Sequence, residues 1–166
     1  MNKLARARIG YTLIEILIVI AIVAILAVVT FVILSPAIKT ARDARRKAEI
    51  SQIGRFLVLR CYVPDAGEGD YDLVPLVAEL KEKYPQFANL VSQTPRDPSK
   101  GSTSESFYRY IVNGTAKKCS IYANLEDRSE PVTLSNISVP TAGGGTGVWQ
   151  GEAGWNNSDK YFQFSN

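Results

Sequence analysis

Residues 11–34 read YTLIEILIVIAIVAILAVVTFVIL, and this stretch decides the fold class. From Ile16 to Leu34 it holds nineteen residues without a charge, and Thr30 is their only polar side chain. Because an α-helix rises 1.5 Å per residue, about 20 apolar residues cross the hydrocarbon core of a bilayer. The stretch therefore predicts a membrane-spanning helix that starts near Tyr11.

Two other interpretations of this stretch are less favoured. A secretory signal peptide has an apolar region of about 7–15 residues followed by a small-residue cleavage site. Here the run is longer, starts behind Glu15 and continues through Ser35-Pro36 into a charged pattern. A buried helix of a soluble domain would need a larger apolar partner than the rest of the chain offers.

Glu15 places a carboxylate at the N-terminal end of the apolar run. An acid costs about 2.5–3.5 kcal/mol at the centre of a membrane helix by insertion scales, and less near the interface. A chain that keeps such a residue usually has a partner for its charge. The alternative is an ordinary helix-start acid, which the helix dipole favours.

The helical pattern continues past the apolar run to about Arg60. Pro36 falls where the pattern changes and predicts a kink, because proline lacks an amide hydrogen and crowds the carbonyl of Val32. Apolar and small residues then recur every three to five positions and predict one buried stripe of an amphipathic helix. The stripe comprises Ile38, Ala41, Ala44, Ala48, Ile53 and Leu57.

The remaining residues predict a small head of mixed structure. Turn residues at 64–69 end the long helix. A second helix is predicted within residues 71–91, on the spacing of Leu73, Val77, Leu80 and Tyr84. Strands are predicted at residues 107–112, 119–125, 131–139 and 161–164. A glycine-rich joint at residues 143–147 precedes the aromatic C-terminal region.

Charge is unevenly distributed, although the formal total is only +3. Residues 39–60 carry seven bases and two acids, a net charge of +5, and residues 61–166 carry nine bases and thirteen acids, a net charge of −4. A basic neck beside an acidic head suits lateral packing of like subunits. Solvated faces without a mutual role are the alternative. The acidic head argues against a nucleic-acid partner.

The side of the membrane on which the head lies is ambiguous from charge. Three bases precede the apolar run and five lie between Lys39 and Lys47, so the positive-inside rule predicts a cytoplasmic head. Cys61 and Cys119 favour the opposite side, because they would form one disulfide in an exported head. Two buried free thiols are the alternative for these cysteines.

Signs of catalysis or metal binding are weak. The chain has no histidine, which excludes a His-based triad and His metal ligands. Four acids are weak candidates for a Ca²⁺ site, namely Asp65, Glu68, Asp70 and Asp72. Their spacing does not match a calcium loop, so solvated turn acids are favoured. We therefore expect no enzyme, no cofactor and no metal.

The N-terminal residues resemble a known processing signal. A basic leader ends at Gly10, and Tyr11-Thr12-Leu13-Ile14-Glu15 opens the apolar run, as in the class III signal of type IV pilins and type II secretion pseudopilins. The likeness continues through Ser35-Pro36-Ala37 and ARDARRKAE at residues 41–49, weakens over 94–126 and is absent after about 130.

This resemblance implies a processing pathway and a fold. A prepilin peptidase would cut between Gly10 and Tyr11 and methylate the new amine of Tyr11. The fold would be an α+β pilin-like lollipop, in which a long N-terminal helix packs its amphipathic half on a small antiparallel sheet. The implied segments are a leader (1–10), a membrane and filament-core helix (11–35), an amphipathic half (36–60), a head (61–130), and a joint with a C-terminal region (131–166).

Cleavage would supply the cation that Glu15 lacks. The new ammonium on Tyr11 of an incoming subunit would meet Glu15 of a subunit already in place, or the two would pair within one chain. Desolvation of both ions offsets much of their attraction, so the pair is expected to set register more than affinity. Thr12, Leu13 and Ile14 are expected at the same assembly contacts.

The expected function is a structural subunit of an extracellular type IV pilus, used for adhesion, motility or DNA uptake. The chain would cross the inner membrane once, head outside, until an ATP-driven machine there assembles it with like subunits. Two alternatives remain open: a pseudopilin of a secretion or competence system, and a single-pass anchored binding protein that never polymerises, including one of reverse orientation.

Overall fold

The computed structural model describes residues 11–86, 91, 93–115 and 117–166. The leader, including Gly10, lies outside these residues. The helices are α1 (Leu13–Leu57) and α2 (Leu73–Lys83), and the strands are β1 (Gly69–Asp72), β2 (Arg109–Asn113), β3 (Lys118–Asn124), β4 (Gly147–Gln150) and β5 (Lys160–Ser165). By its internal contacts the chain divides into two units, residues 1–38 and residues 39–166.

In the first unit, the described residues belong to α1 from Leu13 onward. By length and composition α1 can cross a membrane, and none of its most apolar 18-residue window is buried in the structure. The helix continues through Pro36. The kink predicted there stays a prediction.

In the second unit, five strands form one antiparallel sheet in the order β1-β2-β3-β5-β4. Strand β3 is central: Ile121 lies opposite Tyr110 of β2 on one side and opposite Phe164 of β5 on the other. The last strand of the chain is therefore an interior strand of the sheet. A long helix with a small antiparallel sheet confirms the predicted α+β class.

The C-terminal part of α1 packs on this sheet. Ile50, Ile53 and Leu57 are buried in one apolar core with residues of α2, β2 and β3. Gly54 lies at the closest approach, where a Cβ atom would fall 2.5 Å from the ring of Phe164. A larger residue at position 54 would force a shift of the Phe164 ring or of the helix.

The predicted stripe of α1 is wrong in its N-terminal half. Its three alanines, at positions 41, 44 and 48, are exposed. The buried positions are instead Asp43, Arg46, Ile50, Ile53 and Leu57. They still recur every three or four residues, as one helix face requires. The face that meets the head thus begins with a charged pair, which an apolar pattern cannot reveal.

Helix α2 is shorter than predicted because both of its ends have local stop signals. The Asp72 side chain caps the start and accepts a hydrogen bond from the Val74 amide at 2.8 Å. Tyr84 ends the helix directly before Pro85, a position where helical backbone is disfavoured. Leu73, Val77 and Leu80 are buried, as predicted.

Residues 131–139 form no strand, contrary to the prediction. Thr133 and Leu134 donate their backbone N–H groups to the Val148 carbonyl, each at 2.8 Å. The Val148 N–H donates to Thr133 Oγ1 at 2.8 Å. The segment therefore covers the outer edge of β4, which would otherwise be open to pairing with another strand.

The second face of the sheet carries an aromatic core, made of Tyr122, Trp149, Trp155 and Tyr161. Trp149 and Tyr161 are register partners on β4 and β5, and their rings stack with centroids 4.4 Å apart. The glycine-rich turn at residues 143–147 is hydrogen-bonded to this region, since Gln163 Nε2 donates to the Gly145 carbonyl at 2.8 Å. The C-terminal residues thus complete the second unit.

Candidate functional site

The start of α1 exposes large apolar side chains. Tyr11 is 81 % exposed, Leu13 82 % and Ile14 67 %. A contiguous exposed apolar surface of this kind marks a membrane or protein interaction site. Tyr11 is the predicted processing residue. The predicted assembly positions are Thr12, Leu13, Ile14 and Glu15.

Thr12 and Glu15 form a reciprocal capping box at this helix start. Thr12 Oγ1 accepts a hydrogen bond from the Glu15 backbone N–H at 3.3 Å. Glu15 Oε2 accepts from the Thr12 backbone N–H at 3.3 Å and from its hydroxyl at 3.4 Å. Two helix-start amides are satisfied in this way, so the helix begins at Leu13 and not at Tyr11.

Sequence reasoning missed this pairing, although the Thr-x-x-Glu spacing is a recognised sign of it. The box also fixes where the Glu15 carboxylate sits, because its Oε2 is bound to Thr12 of its own chain. A carboxylate has about four lone-pair sites, so Glu15 can accept a further donor without releasing Thr12. The geometry thus holds an anion at an exposed helix start.

Cys61 and Cys119 are joined in a disulfide, with their Cα atoms 5.4 Å apart. Cys61 lies just after α1 and Cys119 lies in β3, and both are buried. The bond links the end of the long helix to the centre of the sheet.

The four acids of the predicted turn do not converge on one point. Asp65 pairs with Lys83, and Glu68 accepts hydrogen bonds from the Thr115 amide and hydroxyl at 2.6 Å. Among the described residues, no group of three or more Asp, Glu, Cys or His side chains is placed to hold a metal ion.

The other two acids of this turn serve the sheet and α2. Asp70 accepts from Arg109 Nε at 3.1 Å and from the Tyr122 hydroxyl at 2.6 Å. Asp72 caps α2 and accepts from the Ser106 amide at 3.0 Å. Each acid is therefore bonded to the protein itself.

An ionic cluster, formed by Asp43, Arg46, Asp97 and Glu126, lies where α1 meets the head. The Arg46 side chain has no exposed surface, and Nη1 donates to Asp43 Oδ1 at 2.7 Å. Nε and Nη2 bind both oxygens of Asp97 at 2.8 and 2.9 Å, and Nη2 also reaches Glu126 at 2.6 Å. One guanidinium thus joins three segments that are distant in the sequence.

The cluster is also bonded to the C-terminal region. The side-chain Nδ2 of Asn156 donates to Asp97 Oδ2 at 2.8 Å. The backbone N–H of Asn156 donates to Asn124 Oδ1 at 2.7 Å. Asp43 accepts from the backbone amides of Glu126 and Asp127. Buried charges that are paired and fully hydrogen-bonded fix a single arrangement of the segments they join.

The electrostatics of the cluster favour the ionised forms of Asp97 and Glu126. Burial alone would raise the pKa of Asp97, but hydrogen bonds from Arg46 and Asn156 outweigh it and hold that pKa below its usual value. Burial also opposes ionisation of Glu126, and the bonds from Arg42 and Arg46 again prevail and lower its pKa. Both groups are therefore anions at neutral pH.

These pairs account for much of the charge segregation seen in the sequence. Arg42 binds Glu126, and Lys47 binds Glu130. With Arg46, three bases of residues 39–60 are paired to acids of residues 61–166 in the same chain. The basic neck and the acidic head thus complement each other within one molecule.

Comparison with known proteins identifies the N-terminal part of the chain. Residues 5–31 match the family model described as the prokaryotic N-terminal methylation motif. Searches of curated proteins and of solved structures found no significant match. The matched residues include Gly10, the exposed helix start and the capping box.

This motif is a processing and assembly signal and not a catalytic one. It implies cleavage by a prepilin peptidase and handling by pilin assembly machinery in general. The motif includes most of the apolar run, and an apolar helix of spanning length suits membrane anchoring before assembly. The chain therefore carries, at residues 5–31, the class III signal of the type IV pilin and pseudopilin family.

Proposed function

We propose that this chain is a structural subunit of an extracellular type IV pilus, polymerising with like subunits through α1. The observation that carries the proposal is the methylation motif at residues 5–31, in a chain whose most apolar 18-residue helix window has no buried residue. In a filament, those exposed side chains would pack against the helices of other subunits. Before assembly, the lipid would cover them.

We further propose that processing occurs between Gly10 and Tyr11, with methylation of the new amine. Before cleavage the nitrogen of Tyr11 is a neutral peptide nitrogen, and afterwards it is an ammonium. The capping box presents Glu15 as the matching anion at an exposed position. A charged donor from a neighbouring subunit would then bind a carboxylate that is already oriented. This contact would set the relative position of the two subunits along the filament.

Substitution of Glu15 tests this mechanism. Glu15→Ala and Glu15→Gln should still insert and be cleaved, but enter sheared surface fibres at least tenfold less than the parent chain. Glu105→Gln, a change of an exposed acid in the loop before β2, is the matched control. Immunoblots of the sheared and membrane fractions give the measurement. Normal incorporation of Glu15→Ala would refute the role of the anion.

The same fractions separate the pilus from its two rivals. A pilus subunit is abundant in sheared surface fibres. A pseudopilin would be absent from them, yet would cross-link into oligomers within the envelope. An anchored binding protein would do neither and would stay monomeric in the membrane.

A further inference from the structure

A cleft with a volume of about 520 Å³ lies beside the aromatic core. All four aromatic residues of that core line it, and Val139, Gln150 and Glu152 are among its other lining residues. Cavities of this size with aromatic walls and a few polar groups are typical of small-ligand sites. Neither the processing signal nor the assembly helix accounts for it.

The rings of the aromatic core offer flat apolar walls. Trp155 is partly exposed, and its ring stands edge-on to Tyr161 with centroids 5.9 Å apart and planes at 81°. Trp149 lies flat against Tyr161, with planes 7° apart. Such surfaces combine apolar area with a polar N–H or O–H at one edge.

Two of these side chains carry hydrogen-bond donors that have no partner. The indole N–H groups of Trp149 and Trp155 are buried and unbonded among the described residues, and Trp149 is only 2 % exposed. Buried donors without partners are rare, and each asks for an explanation. A ligand that brings hydrogen-bond acceptors into the cleft would explain why these donors lack a protein partner.

Access to these donors requires a local shift, since both nitrogens are shielded from water. Residues 138–140 line the cleft, lie outside all helices and strands, and include Val139, which is 62 % exposed. This wall can move without breaking a strand pair.

The chemistry of the cleft selects the class of ligand. None of its described lining residues is Lys or Arg, and Glu152 adds a negative charge, so phosphates and acidic sugars are disfavoured. Unpaired N–H donors do not suit an ammonium group, which has no acceptor. Gln150 Oε1 already accepts from Lys160 Nζ at 2.7 Å. Among the described lining residues, Glu152 is therefore the free carboxylate acceptor of the wall. Hydroxyl groups can accept from the N–H donors and donate to the Glu152 carboxylate.

We propose that this cleft binds a neutral saccharide, whose apolar C–H face stacks on Trp155 while its hydroxyl groups bond the two indole N–H groups and Glu152. This inference goes beyond the proposed function, because binding does not require the chain to polymerise. It assigns the C-terminal region a recognition role that the N-terminal motif does not provide.

A titration of the full chain tests the proposal. The protein is kept in detergent micelles without sugar headgroups, and methyl glucoside, methyl galactoside, methyl mannoside and N-acetylglucosamine are added singly. Saturation-transfer NMR and tryptophan fluorescence should report saturable binding of at least one sugar, with Kd on the order of 1 mM for so small a ligand. Sialic acid and choline serve as the charged probes.

Two variants locate the site. Trp155→Phe keeps a ring but removes the N–H, and Glu152→Gln changes an exposed side chain without touching the core; each should weaken binding at least fivefold. Glu105→Gln, outside the cleft, should bind as the parent chain does.

Three results would each overturn the proposal. They are no saturable binding of any of the four sugars, equal binding by Trp155→Phe and the parent, and tighter binding of choline or sialic acid than of the sugars. Fibre formation is scored separately, so failure here leaves the assembly mechanism standing.

Discussion

At the scale of single residues, Thr12 gives Glu15 its geometry. The threonine hydroxyl both accepts from the Glu15 amide and donates to its carboxylate, at 3.3 and 3.4 Å. A glutamate placed only by helix propensity would sample several rotamers. The capping box removes that freedom before any second subunit arrives, which lowers the entropic cost of forming an intermolecular ion pair.

Thr12→Val tests the capping box, because valine has the shape of threonine without the hydroxyl. We expect the first turn of α1 to lose about 1 kcal/mol, the usual worth of a helix cap. Amide hydrogen exchange of residues 13–15 in micelles should accelerate accordingly, while Thr12→Ser should retain protection. Equal exchange in the valine variant and the parent would show that the box is not populated.

Arg46 is the residue on which the junction of α1 with the head depends. Its side chain is fully buried and is bonded to Asp43, Asp97 and Glu126. Arg46→Ala leaves buried carboxylates without a cation, a change that typically costs about 3–5 kcal/mol. Denaturant unfolding followed by tryptophan fluorescence should report this loss, whereas Arg55→Ala, on an exposed position of α1, should be near neutral.

The two residues also show how far the sequence predicts a site. The sequence marks Glu15 as unusual because its setting is local: a charge beside an apolar run. The sequence shows Arg46 only as one base of a basic segment, because its partners Asp97 and Glu126 are 51 and 80 positions away. Single-sequence patterns carry no information on contacts at that separation.

At the scale of elements, the ionic cluster makes the packing of α1 on the head sensitive to acid. The pKa values of Asp97 and Glu126 are lowered in the folded chain, so both bind protons less readily than in the unfolded chain. Their contribution is present in full above the ordinary carboxyl pKa of about 4 and is lost as pH falls towards the folded values. The free energy of unfolding should therefore decrease at acidic pH.

We predict that the free energy of unfolding falls between about pH 5 and pH 3, the range in which unfolded carboxyl groups take up protons. Asp97→Asn should be less stable at pH 7 and should show a shallower decline, because one of the shifted groups is gone. Glu82→Gln, an exposed change on α2, is the control. Parallel pH profiles of Asp97→Asn and the parent would contradict the assignment.

The strands differ in how clearly their sequence patterns predict them. Predictions for β2, β3 and β5 were correct to within two residues at either end, because alternating apolar and aromatic residues mark them. Strands β1 and β4 are four residues long and begin at glycines, so they gave no signal. The apolar residues at 131–139 predicted a strand, but two of their amides share a single carbonyl, that of Val148, in place of a ladder.

At the scale of the whole molecule, the chain combines an exposed apolar unit with a cross-linked one. The disulfide joins residues 58 positions apart, and in the chain-entropy account a loop of that size is worth about 4 kcal/mol. It ties the end of α1 to the central strand. A bond of this kind forms in an oxidising compartment, which agrees with the proposed location of the head outside the cytoplasm.

Removing both cysteines tests that contribution. The double variant Cys61→Ala, Cys119→Ala should lose about 2–4 kcal/mol of unfolding free energy, the usual worth of a disulfide. Adding a thiol reductant should destabilise the parent by a comparable amount and leave the double variant unchanged. A parent chain that is insensitive to reductant, and that reacts with thiol reagents when unfolded, would show that the bond does not form in the cell.

The most direct measurement is the mass of the chain recovered from sheared surface fibres of its host. Our account predicts a protein that starts at Tyr11 and carries one methyl group on its amine. A protein that starts at Met1 in every fraction, with no trimmed form in fibre or membrane, would contradict it, because Glu15 would then lack the cation on which assembly depends.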